Sequence, residues 1–146
     1  MSSNRNSIGN AGAILLATLT ADGQDTGPLL YQVHPAGTQP YDYSLIRACS
    51  QLMLGLGGTG TGLSVTVYFT TDVATANGTS AAPVWFRCPS PSTENANQWS
   101  NPMQNINGFN ALEFKGRAIA LRAVATTTVP GVAPVGAVSL YLLGGF

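Results

Sequence analysis

The clearest pattern in the chain runs through Gly62–Thr71, where Val65, Val67 and Phe69 alternate with Ser64, Thr66, Tyr68 and Thr70. Alternation with period two belongs to a β-strand with one face in a core and the other wet or against a partner. The apolar run from Ala13 to Thr20 predicts a first strand, closed by turn signals at Asp22-Gly23 and Gly27-Pro28. A short strand is expected over Leu29–Val33, ending at His34-Pro35, and another over Val84–Cys88, ending before Pro89 and Pro91. Asp72–Ala82, which contains Asn77-Gly78, is expected as a loop. Tyr43–Leu54 is ambiguous, because Leu45, Ile46, Cys49, Leu52 and Met53 also recur at helical spacing. Strand neighbours favour strand there, with the glycine run Gly55–Gly60 expected to turn the chain.

Near the C-terminus, Lys115–Ala125 and Ala137–Leu143 are apolar runs flanking Thr126–Pro134. Pro130 and Pro134 each lack the N–H a ladder needs, so the pattern predicts an apolar hairpin with a long loop. Val129, Val132, Ala133 and Val135 make that loop too apolar to sit free in water, and it is expected to tuck against a neighbouring subunit. Residues 89–110 form the longest stretch of low hydrophobicity and read as a loop carrying Trp99, Met103 and Phe109. A loop of that length in a compact domain is usually functional or interfacial. Roughly seven short strands without a long helix or a repeat predict an all-β, antiparallel β-sandwich, jelly-roll-like. Residues 1–12, rich in Asn and Ser, are expected as an extended N-terminal arm on a single domain spanning 13–146.

Composition narrows the function. At 146 residues the chain suits one domain that buries about 70% of its unfolded surface. Charged residues make up 8% of it, against roughly 25% in an ordinary soluble domain. Net charge is zero, which favours association over colloidal separation. Six basic residues, scattered from Arg5 to Arg122, do not make the cluster that nucleic acid or an anionic membrane requires. Ala11–Leu19 imitates a short signal core, but Ser2–Ser7 before it is hardly basic, so an arm leading into a strand is the better reading.

Candidate chemistry falls away residue by residue. Gly55-Leu56-Gly57-Gly58-Thr59-Gly60 has the letters of a dinucleotide fingerprint, yet a strand follows it where the mechanics need a helix N-terminus. His34 is the single histidine, lies before Pro35, and has no Gly-x-Ser-x-Gly elbow to serve. Cys49, Cys88 and His34 lack the spacing of zinc ligands, and the two thiols read as buried. Asp22, Asp25, Asp42, Asp72 and Glu94 fall in turns, where Asp commonly bonds its own backbone. Trp85, Trp99, Tyr41, Tyr43 and Tyr68 suit a sugar platform, and equally suit core and interface packing. No catalytic, cofactor or metal residue is expected, and the chain reads as a non-enzyme. Arg117 and Arg122 interrupt an apolar strand; they are either solvent-facing or paired with carboxylates across a subunit interface.

The Asn/Ser-rich arm, the Thr- and Gly-rich charge-poor body, and an ending of the form Gly116-Arg117-Ala118-x-x-Leu121-Arg122-Ala123, then Tyr141-Leu142-Leu143-Gly144, carry a resemblance. In these features the chain resembles capsid decoration or cement proteins of tailed bacteriophages. That resemblance implies a jelly-roll-like β-sandwich on the capsid exterior, bound to the major capsid protein and to itself as a homodimer or homotrimer. A tail, neck or fibre-base component of the virion and a lectin-like carbohydrate-binding module are the alternatives. Candidate interface residues are Arg5, Trp99, Met103, Phe109, Arg117, Arg122, Val129 and Val132.

Overall fold

β2 (Gln51–Thr70) is the axis of the fold, and four other strands pair along it. The computed structural model describes residues 13–29, 51–88, 102–115 and 118–143. Around β2 lie β1 (Ala13–Leu19), a short helix α1 (Val73–Asn77), β3 (Phe86–Arg87), β4 (Met103–Lys115), β5 (Ala120–Thr127) and β6 (Val135–Leu143). The described strands are joined in one open sheet with antiparallel pairing throughout, so the protein is all-β with little helix.

Register assigns each partner to an edge. β4 and β6 both face Leu54–Gly60 of β2, and β4 and β5 both face Ser64–Val65, so β4 has one edge to itself at those levels. β5 and β6 therefore share the opposite edge, end to end: β5 opposes Leu63–Thr70 and β6 opposes Leu54–Thr61. The layer beyond repeats this division. β1 pairs with β6, while residues 23–29 run antiparallel to β5 through bridges at Asp25–Val124 and Leu29–Leu121. Gly23 N–H donates to the Ala125 carbonyl at 2.9 Å, and Ala125 N–H returns to the Gln24 carbonyl at 2.8 Å.

Three layers are thus interrupted at one level: the 20–22 turn, the 128–134 detour, and a break inside β2. Between Gly60 and Ser64 the β2–β4 register shifts, so that extra β2 residues oppose the partner strand. The parity of the buried positions changes across this stretch. Before the break Leu54 and Leu56 face the core; after it Leu63, Val65 and Val67 do. A slip of one residue turns a strand inside out, and the irregular stretch from Gly60 to Ser64, where β2 advances four residues while β4 advances two, is where the buried apolar positions of β2 pass from even to odd. Gly62, at φ 78°, supplies the left-handed backbone that this requires.

Both halves feed one core, in which Leu19, Leu54, Leu56, Leu63, Leu121 and Leu140 are fully buried. Burial of one such side chain contributes about 1.5–3 kcal/mol. At Gly136, φ is 94° and an added Cβ would overlap the Thr59 carbonyl oxygen, so β6 approaches β2 there more closely than any side chain permits.

Several expectations change. Gly55–Gly60 is not a turn but strand interior, because glycine lets the neighbouring backbones close up. Lys115–Ala125 and Ala137–Leu143 do not form a hairpin: β5 and β6 run in the same direction along β2, and 128–134 is a detour between them. Lys115 ends β4, and β5 begins only at Ala120. The expected loop over 89–110 gives way at Met103 to β4, a strand of 13 residues. Asp72–Ala82 contains α1, capped by Asp72, whose carboxylate accepts from Thr75 N–H at 2.9 Å. Of the Val84–Cys88 run only Phe86–Arg87 is strand. The expected arm over 1–12, all of the expected strand Leu29–Val33 beyond Leu29, and most of Tyr43–Leu54 lie outside the described residues.

Candidate functional site

The interruption of the sheet brings two loops together. Asp22 accepts from Thr127 N–H at 2.8 Å, and Thr128 N–H donates to the Gly62 carbonyl at 2.8 Å, tying both loops to the break in β2. The Thr127 hydroxyl lies 2.9 Å from the Val129 carbonyl and 2.8 Å from that of Val132, and its one proton is shared between them. On the other side, Gln24 Oε1 accepts from Thr20 N–H at 2.9 Å while its amide donates to the Thr18 carbonyl at 3.2 Å. The loops frame an open cleft of about 330 Å³ lined by Thr20, Ala21, Asp22, Thr127, Gly131, Val132, Ala133 and Pro134. Val129, Val132 and Val135 around it are 53%, 58% and 70% exposed. The loop thus joins a braced backbone to exposed valines.

A second cluster centres on Arg122. Its Nε donates to Asp25 Oδ1 at 2.9 Å and its terminal nitrogen to Oδ2 at 2.5 Å, a forked pair in which both groups are partly exposed. The guanidinium carbon also sits 5.6 Å from the ring centres of both Tyr68 and Trp85. The fork from Arg122 holds the Asp25 carboxyl below the usual carboxylate range, helped by Gly27 N–H, which donates to it at 2.9 Å. Arg122 was expected to be solvent-facing or paired across a subunit interface, and instead finds its carboxylate within the chain. Of the aromatics weighed for a sugar platform, Tyr68 and Trp85 are the two that the Arg122 guanidinium covers, while Tyr41, Tyr43 and Trp99 lie outside the described residues.

A second apolar surface lies at the far end of β2. Val73, Val84 and Phe86 are exposed there, and the Phe86 ring leans on that of Phe69 at 5.5 Å. Thr70 Oγ1 donates to the Val84 carbonyl at 2.8 Å, Val84 N–H donates to Thr75 Oγ1 at 2.9 Å, and Thr75 Oγ1 donates to Asp72 at 2.6 Å. The buried hydroxyls of Thr70 and Thr75 are satisfied by this relay, which also holds the segment carrying Phe86 and the exposed Arg87. Beside it, Cys88 is buried as expected, and burial pushes its thiol up to about 12, far from a reactive thiolate.

Of the candidate interface residues, Val132 stands exposed in the cleft, Val129 is exposed in the same loop, and Arg122 is in the ion pair. Met103, at the start of β4, packs against the chain's own core. Phe109 lies in β4, while Arg5, Trp99 and Arg117 lie outside the described residues, as do Cys49 and His34. Sequence reasoning passed over Asp22, Asp25, Phe86 and Arg87; the Asp22-Gly23 turn was the available signal, but nothing local pointed to its partner across the sheet. Among the described residues no group of three His, Cys, Asp or Glu side chains is placed to hold a metal ion. No protein-family model, curated protein or solved structure matches this chain.

Proposed function

We propose that the protein is a non-enzymatic structural component of a virion, a decoration or cement protein that binds the capsid surface and strengthens contacts between capsomers. The observation that carries this reading is the 128–134 detour. It exposes Val129 and Val132, with Val135 exposed just after it, yet Thr127 and Thr128 at its start bond to Asp22 and Gly62, so a partner docks on a surface that is already ordered. A net charge of zero suits a chain packed among neighbours, and an open antiparallel sheet is compatible with the jelly-roll-like sandwich that the resemblance implies. The major capsid protein is the proposed partner, and the capsid exterior the proposed place.

Purified protein added to capsid shells lacking it tests the reading. Saturable binding at a fixed ratio to the shell subunit, with a raised temperature of shell rupture, is the expected result. Protein that stays unbound at every concentration overturns it.

A further inference from the structure

Two acids lie close together in the turn that follows β1, and their fates differ. The carboxylate of Asp25 accepts Gly27 N–H on Oδ1 at 2.9 Å and still takes the Arg122 fork, whose Nε reaches that same oxygen at 2.9 Å. Asp22 has the first half of this arrangement: its Oδ1 accepts Thr127 N–H at 2.8 Å, which fixes the carboxylate in place. The second half has no counterpart among the described residues, where Asp22 is exposed and forms no ion pair. It lines the cleft, and Ala21, Val132, Ala133 and Pro134 make the wall beside it apolar.

We propose that the cleft takes an arginine side chain of the shell protein, its stem along Val132 and Pro134 and its guanidinium forked on Asp22. Such a contact rests on the capsid reading and identifies what the partner brings to the same cleft. Charge complementarity selects the occupant. An acidic side chain would be repelled, and an apolar one would strip water from the carboxylate and give nothing back. Arginine buries its methylene stem against apolar groups while its charge reaches a polar partner. Its guanidinium is more weakly hydrated than an ammonium and meets a carboxylate with two parallel N–H donors, which favours it over lysine beside apolar walls. At about 330 Å³ the cleft is at the small end of ligand pockets and has room for one extended side chain.

The test is binding of the full chain to capsid shells lacking it, measured from low to high salt. Wild type binds, and its affinity falls as salt screens the pair. Asp22→Asn keeps an oxygen for Thr127 N–H and an Asn-Gly turn in place of Asp-Gly, so its unfolding curve stays with wild type. Its binding is weaker by at least about tenfold at low salt. The two affinities meet near 1 M salt, where the screening length is about 3 Å. A merely structural role of Asp22 moves the unfolding curve and leaves the salt dependence alone. Shells whose arginines are blocked with phenylglyoxal bind wild type more weakly and Asp22→Asn no differently, the coupling expected of a direct pair. Should Asp22→Asn fail to fold, Asp22→Ser, which also offers an oxygen to Thr127 N–H, takes its place. A folded variant with the affinity and salt dependence of wild type overturns the proposal and leaves the capsid reading standing. So does loss of wild-type binding on acetylation of the shell's lysines with none on blocking its arginines. Wild type that binds no shell overturns the capsid reading itself, and this contact with it.

Discussion

The two halves of the sheet, on either side of the break in β2, are held by different means. Next to β6 and β1, the first half relies on close backbone approach: Gly136 sits where a Cβ would strike Thr59, and the cross-strand side-chain bond there joins Thr18 to Ser139 at 3.0 Å. Next to β5, β3 and residues 23–29, the second half relies on directed side chains: the Arg122–Asp25 fork, Thr26 receiving Ala123 N–H at 3.0 Å, and the Thr70–Val84–Thr75–Asp72 relay. Their shared core is fully buried on both sides, so bulk hydrophobic burial does not distinguish them. Near backbone contact tolerates no added atom, whereas a clamp of separate side-chain bonds yields by small steps. The loop at the break, between them, is held from both sides.

Substitutions sharpen that contrast in order of size. Gly136→Val should be the most damaging, at about 3 kcal/mol or more, because it combines a left-handed backbone with overlap of a carbonyl oxygen. Urea unfolding measures it, and a loss under about 1 kcal/mol breaks the claim of close approach. Leu140→Ala in the first half and Leu121→Ala in the second should each cost about 3 kcal/mol, since both residues are fully buried in the same core. Unequal costs beyond about 2 kcal/mol would show that the halves do not share it.

Asp25→Asn should cost about 1 kcal/mol or less at neutral pH, because the pair is partly exposed and screened by solvent. Its pH dependence has a definite sign. The folded carboxyl titrates below its ordinary value, so its contribution is complete above that value and disappears as pH falls through the folded one. Wild type and Asp25→Asn should therefore converge in stability in acid, which unfolding curves at neutral and acid pH compare directly. Val129→Ser with Val132→Ser should leave stability within about 0.5 kcal/mol, as both residues are exposed.

How much of this was legible in the sequence follows from where the causes lie. Alternation placed the second half of β2, and the apolar runs of β1 and β6 announced themselves, because local period and burial agree there. Gly55–Gly60 misled, since a glycine run favours turns unless a partner strand comes close, and that partner lies some eighty residues away in sequence at Gly136–Leu142. Thr126–Pro134 has the residues of a turn, and nothing in them tells a chain that doubles back from one that detours and continues. β4 was hidden by Asn105, Asn107 and Asn110, polar residues that dilute any period. At the candidate site the exposed valines were readable from composition, whereas Asp22 and Arg122 acquire their partners only through the register of β5.

The central claim is that the loop at the break serves contact rather than folding. Cosedimentation of the folded Val129→Ser/Val132→Ser variant with capsid shells lacking the protein tests it most directly. The account predicts that binding is lost while the unfolding curve stays with wild type; binding at wild-type strength would contradict it.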